Sequence, residues 1–345
     1  MKVTVADNFL HERSGSPRLD APARIYLTLG DVIEVEDNLY KGDQYDDIDT
    51  WYKAVGTSNY YWSGGVSQDN LGSTIFYNSF LKQFDLQALQ TQGDHTSVMV
   101  IDEGMVLDPI FFDTSKIQGI NIDPGPISTP HGNFIGGILA GRSAVIGLIP
   151  KAKLISLKYT ANTTPPDQFL NHLVTALQRA ATNTGATIVN LSQSFNKYTM
   201  QGNEIQKARI IAALQQIAIQ PNKFVICSAG DNGSINNNLF PAHLPECISV
   251  GSFDGENADI IVPATLNILS PMVNFRSFDL GFNVDSQAGS SFATAVVSAL
   301  ASCIISKQLP AVITKSELLN ALKMYQTNRS QFLFGNLSSF QYQIT

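Results

Sequence analysis

From about residue 95 onward the chain alternates between two patterns of apolar and polar positions. Short, almost wholly apolar runs suit strands covered on both faces: SVMVID (97–102), AKLISLKY (152–159), TIVNLSQS (187–194), KFVICSAG (223–230) and ECISVGSF (246–253). Between them, DQFLNHLVTALQRAATNT (167–184) and NEIQKARIIAALQQIAI (203–219) carry helical periodicity. Strand, helix, strand in this order predicts an α/β fold, a mostly parallel sheet with helices on both faces. Sites in that architecture form at the carboxyl ends of strands.

The first seventy or so residues follow another rhythm. RIYLTLGDVIEVED (24–37), TWYKAV (50–55) and NYYWSGGV (59–66) combine apolar alternation, β-branched residues and Gly/Asp breaks, which predicts a small all-β module. The polar stretch GDQYDDID (42–49) reads as a solvated turn. The expected organisation is a β module over 1–68, a polar Gln/Asn-rich linker over 69–94 and an α/β domain over 95–345. No internal repeat is visible.

Composition narrows this picture. A chain of 345 residues accommodates one large domain or two. Apolar residues make up 44% and charged ones 15%, as in a core-rich folded protein. A net charge of -7 without any Lys/Arg run argues against a nucleic-acid partner. No apolar run reaches the roughly 18 residues of a membrane span, so no membrane partner is expected. Cys227, Cys247 and Cys303 lie in apolar runs and read as buried thiols. The N-terminus MKVTVADNFLHERSG has no apolar signal region, so a cytoplasmic location is expected; a chain trimmed of its leader would read the same.

Three motifs carry candidate chemistry. In VMVIDEG, Asp102 ends a buried strand and Gly104 follows in the turn. In TPHGNFIGGILAG (129–141), His131 opens a short helix whose Gly136, Gly137 and Gly141 are expected to admit a second helix closely. In GSSFATAVV (289–297), a glycine turn delivers Ser290 and Ser291 to a helix start, where outward N–H groups favour negative charge. Singly, these are an acidic loop residue, a structural histidine and a helix cap. Together they supply a hydroxyl, a base and an anionic partner for the base, which nucleophilic catalysis by serine requires.

At these residues the chain resembles the subtilisin-like serine peptidases, the subtilases. The family's D-x-G, H-G and G-T-S-M-A-T-P motifs, in the order Asp, His, Ser, appear as Asp102-Glu103-Gly104, His131-Gly132 and Gly289-Ser290-Ser291-Phe292-Ala293-Thr294-Ala295. IGLIPKAKLISLKY, IVNLSQS and SAGDNG are similar to further family segments, and the resemblance covers roughly 95–345. It implies that Ser291 is the nucleophile, His131 the general base and then acid, and Asp102 the orienting carboxylate. It implies substrate contacts at Ser192, Gln193, Ser194, Ser228, Ala229 and Gly230. The first sixty-eight residues loosely resemble a bacterial SH3-like domain, which implies that they bind a peptide or cell-wall fragment or dock on the peptidase. There Trp51, Tyr52, Tyr60, Tyr61 and Trp62 either line a groove or fill a small core.

Two departures from the family bear on the chemistry. Asp231 stands where the family has an asparagine that donates to the oxyanion, a bond whose loss in subtilisin costs about 10²–10³ in turnover. Ionised, Asp231 repels the developing charge; protonated, it can donate; alternatively Asn232 takes over after a one-residue shift. Reduced activity or an acid-leaning pH optimum is therefore expected. Ser194 replaces a glycine and is expected to narrow the first specificity pocket. No cofactor is required. Structural calcium fits the family, but no ligand set can be assigned, and Asp43, Asp46, Asp47 and Asp49 lack the spacing of a calcium loop. His11, His172 and His243 lack partners at zinc spacing. The competing readings are a catalytically weak or inactive subtilase-fold binding protein and an α/β-hydrolase esterase. The esterase is disfavoured by the order of the three residues.

Overall fold

The computed structural model describes residues 1–5, 10–27, 31–45, 47–68, 76–77, 91–142, 145–161, 164–195, 200–230, 239–253, 268–271, 275–287 and 289–322. Seven strands come first: β1 (Lys2–Val5), β2 (Leu10–Ser14), β3 (Ala23–Leu27), β4 (Val32–Tyr45), β5 (Ile48–Ala54), β6 (Asn59–Trp62) and β7 (Val66–Ser67). All their pairings are antiparallel, in the order β3-β2-β6-β5-β4-β1-β7. The period of two that a half-buried strand requires is plain in β6, where Asn59 and Tyr61 are buried while Tyr60 and Trp62 are half-buried. Val3, Val5, Leu10, Leu27, Val35, Tyr52 and Tyr61 form the core of this sheet.

Of the five aromatic residues in question, Trp51, Tyr52 and Tyr61 are thus interior packing. The stretch 42–49 is not a loop. Residues up to Tyr45 continue β4, Tyr45 pairs with Ile48, and the turn between them includes Asp47 at φ 63°. Trp51 helps to hold this extension: its indole N–H donates to the Asp43 carbonyl at 3.0 Å. Asp46 lies outside the described residues. Among the described residues, no group of three or more His, Cys, Asp or Glu side chains is placed to hold a metal ion.

Of the expected linker, only β8 (Phe76–Tyr77) and residues from 91 are described. There follow β9 (Ser97–Asp102), β10 (Ile117–Asn121), α1 (His131–Ala140), β11 (Val145–Ile146), β12 (Lys153–Lys158), α2 (Pro166–Thr182), β13 (Ile188–Leu191), α3 (Glu204–Ala218), β14 (Phe224–Ser228), β15 (Cys247–Phe253), β16 (Ile268–Pro271), β17 (Phe275–Phe278), β18 (Val284–Gln287) and α4 (Ser290–Gln308). The main sheet runs β10-β12-β9-β13-β14-β15-β16, with every pairing parallel. β8 and β11 pair with each other, as do β17 and β18.

Alternation along each strand feeds two cores. Val98 and Val100 of β9 pack with α1 and α4, whereas Met99 and Ile101 pack with α2 and α3. Each such side chain, fully buried, contributes about 1.5–3 kcal/mol. Helix α4 is long and apolar enough to cross a membrane by composition, but 83% of that window is buried inside the protein. It is the central core helix. The glycines of α1 serve a different purpose from the one expected. An added Cβ at Gly136 would meet Met105 at 2.1 Å, at Gly137 the Ser277 hydroxyl at 2.0 Å and at Gly141 the Val145 carbonyl at 2.4 Å. What they admit at those points is a loop and strands, not a second helix.

Candidate active site

Three elements deliver the three candidate residues. Asp102 is the last residue of β9, 1% exposed, and its Oδ1 accepts the Glu103 N–H at 2.8 Å. The turn behind it depends on Gly104, whose φ of 95° favours glycine. His131 is the first residue of α1. Its Nδ1 lies 2.9 Å from Asp102 Oδ1 and 3.0 Å from Oδ2, so the N–H tautomer at Nδ1 donates to the carboxylate. The close approach of the two loops requires Gly132, because a Cβ there would sit 2.1 Å from the Gly104 carbonyl oxygen.

Ser291 occupies the first turn of α4, after Gly289 at φ 146°. Phe292, its neighbour, packs against the His131 ring with centroids 5.6 Å apart. The Ser291 hydroxyl donates to the Ser192 carbonyl at 2.8 Å; among the described residues its hydrogen bond is not to His131. The Ser192 hydroxyl returns a bond to the Ser291 carbonyl at 2.8 Å and reaches Asn190 Oδ1 at 3.0 Å. Asn190 in turn donates to Ser298 Oγ at 3.0 Å. Ser228, at the end of β14, hydrogen-bonds Ser290 at 2.8 Å. A ladder of buried polar groups therefore fixes the start of α4 to the ends of β13 and β14.

Burial would push the His131 ring down, but the charge and hydrogen bond of Asp102, with Glu103 added, outweigh it and hold the ring above its ordinary range. The Glu103 carboxyl is raised by burial first and by Asp102 second, with His131 opposing, and its Oε2 is buried with no hydrogen-bond partner among the described residues.

Residues 192–194 continue past the end of β13, and the Phe195–Phe240 bridge follows. Gln193 accepts the hydroxyl of the buried Tyr159, and Ser194 is half-buried. Ala229 donates to the Val250 carbonyl at 2.7 Å, and Gly230 has φ 91°. Asp231 and Asn232 lie outside the described residues. The three cysteines are free and buried.

Sequence reading missed Asn190, Lys158 and Tyr159. Two of them left a trace, as polar residues in otherwise apolar strand runs: Asn190 in TIVNLSQS and Lys158 in AKLISLKY. A buried polar group needs a partner, so each marked a tertiary bond whose other end the sequence did not disclose.

The model of the Subtilase family matches residues 93–336. The chain belongs to the subtilase family. This family is one of serine proteases, and its fold accounts for the parallel sheet and the flanking helices. The chain is 24% identical over 246 residues to Subtilisin-like protease 3 of Pseudogymnoascus destructans, a match that covers 67% of this chain and 57% of that protein. It thus spans little more than half of that relative's length. Among solved structures, it is similar in fold to the prenylagaramide maturation protease PagA (TM-score 0.53, 22% identity, covering 69% of this chain and 86% of that one). It is likewise similar to MycP1, described as an essential component of the type VII (ESX-1) secretion system (TM-score 0.54, 20% identity, covering 73% and 82%).

Proposed function

We propose that this subtilase is a serine endopeptidase acting through Asp102, His131 and Ser291. The observation that carries the reading is the 2.9 Å contact of His131 Nδ1 with the buried Asp102 carboxylate, on a ring that also packs against the residue following Ser291. With Nδ1–H held by Asp102, Nε2 is the nitrogen left to accept a proton. The Ser291 hydroxyl turns from the Ser192 carbonyl toward Nε2, gives up its proton and attacks the peptide carbonyl. The imidazolium, stabilised by Asp102, protonates the leaving amine, and water then resolves the acyl-enzyme by the same steps.

The oxyanion falls at the start of α4, where backbone N–H groups point outward. Asp231 in protonated form, or Asn232, supplies the side-chain donor. The substrate adds as a strand along Ser192, Gln193 and Ser194 on one side and Ser228, Ala229 and Gly230 on the other. Ser194 narrows the first pocket toward smaller side chains. We assign residues 1–68 to an SH3-like module that docks on the peptidase or binds a peptide. The protein needs no cofactor for this chemistry.

A fluorophosphonate probe tests the reading: it labels the parent and leaves Ser291→Ala unlabelled, and the parent alone cleaves casein. An unlabelled parent would instead favour a silent, peptide-binding subtilase fold, the reading that Asp231 motivates.

A further inference from the structure

Lys158, the last residue of β12, takes no part in the chemistry above, yet it is 2% exposed. A buried ammonium is unfavourable unless its protons find acceptors, and a methionine would fill the same space without that cost. Packing alone does not account for the charge. The geometry points to Lys158 as a positioning residue that fixes the Asp102 turn relative to the segment that delivers His131. This rests on the catalytic reading of the Asp102–His131 pair.

Its two ends act on two different pieces of chain. The amine donates to the carbonyls of Asp123 and Gly125, while the Lys158 carbonyl accepts the N–H of Ile122 at 2.8 Å and of Asp123 at 3.4 Å. The segment 122–125 is thus gripped from both backbone and side chain, and residues 126–130 connect it to His131. Asp123 is secured in turn by the Gly125 N–H at 2.7 Å and the Thr164 hydroxyl, and it faces His172 at 3.6 Å.

The aliphatic stem acts on the other piece. A Cβ at Gly104 would lie 2.9 Å from Lys158 Cδ and 3.1 Å from its Cβ, so the stem is the floor of the Asp102–Gly104 turn. The Gly104 carbonyl of that turn lies against Gly132, beside His131. Lys158 also lies opposite Asp102 in the β9–β12 ladder, and the Tyr159 N–H donates to the Asp102 carbonyl at 3.1 Å. One side chain therefore sets where both members of the hydrogen-bonded pair stand.

The test is Lys158→Met, which keeps the stem and removes the donors, in the full chain. Two readouts are compared with the melting temperature. The first is turnover of a peptide substrate: kcat should fall on the order of 10²-fold with KM little changed, the consequence of misplacing a reacting group by about 1 Å. The second needs no turnover. In Ser291→Ala, the His131 Nδ1–H proton held by Asp102 gives a low-field NMR resonance, assigned by its loss in His131→Gln. Lys158→Met should broaden or move that resonance at temperatures where the protein remains folded. Should the methionine variant not fold, Lys158→Gln, which retains an amide donor, replaces it with the same readouts and a smaller loss. An unchanged resonance with kcat within about threefold of the parent overturns the proposal, as does failure of both variants to fold, which would make Lys158 a folding determinant only. If the parent itself fails to hydrolyse peptides while the resonance still responds to Lys158→Met, the protease reading falls and the positioning role stands.

Discussion

At the residue scale the site depends on which groups carry protons. A base must be neutral to act, and His131 is held above its ordinary range by Asp102 and Glu103. The acid limb of kcat/KM should therefore lie above the value of about 6.5 for a free histidine. Glu103→Gln removes one of the two carboxylates that favour the imidazolium, so the limb should move to lower pH; a pH-rate profile in which it stays or rises would contradict this. Stability carries the same sign. A raised folded pKa contributes stability that is present in full below about 6.5 and is lost as pH rises through the folded value. Melting curves of His131→Gln should lack that decline. Asp231 adds a conflict: at a pH where His131 is neutral, a carboxyl of ordinary pKa is ionised and cannot donate to the oxyanion. Asp231→Asn should therefore be faster than the parent across pH 5–8, and a slower variant would count against the assigned role.

At the scale of elements, stability and positioning share the same bonds. Asn190 holds Ser192 and Ser298 together, joining β13 to α4 beneath Ser291. Asn190→Ala removes the donor to Ser298 and one of the two acceptors of the Ser192 hydroxyl, and should cost about 1–3 kcal/mol, read as a shift in denaturant midpoint, with a fall in kcat as Ser291 loosens. Lys223, 3% exposed, places its amine on the carbonyls of Ala180 and Asn183 at the C-terminus of α2, both at 2.5 Å. Lys223→Met should lower stability by a comparable amount, yet leave kcat unchanged because α2 lies on the face opposite α1 and α4. Five of the seven strands of the parallel sheet were legible to within three residues, because burial on both faces makes each a continuous apolar run, as SVMVID shows; the edge strands β10 and β16 were not, and β10 is largely exposed. The hairpin extension to Tyr45 was not legible, since its polar side chains match a turn and a bond that helps to hold it comes from Trp51. The glycines of α1 announced close approach without naming what approaches.

At the scale of the whole molecule, the fold's contribution is to bring the ends of β9, β13 and β14 together with the starts of α1 and α4. The order Asp102, His131, Ser291 was readable because each residue sits at a strand end or helix start marked by glycine. The hydrogen bond from Ser291 to Ser192 was not readable, because it joins residues distant in sequence through a backbone carbonyl that no motif encodes. The central claim is that these three side chains act as one unit, and peptide mapping after fluorophosphonate treatment tests it most directly. The adduct should appear on Ser291, within the peptide containing 289–297, and its rate of formation should fall by orders of magnitude in His131→Ala. An adduct on another residue, or one that forms on Ser291 equally fast without His131, would contradict the account.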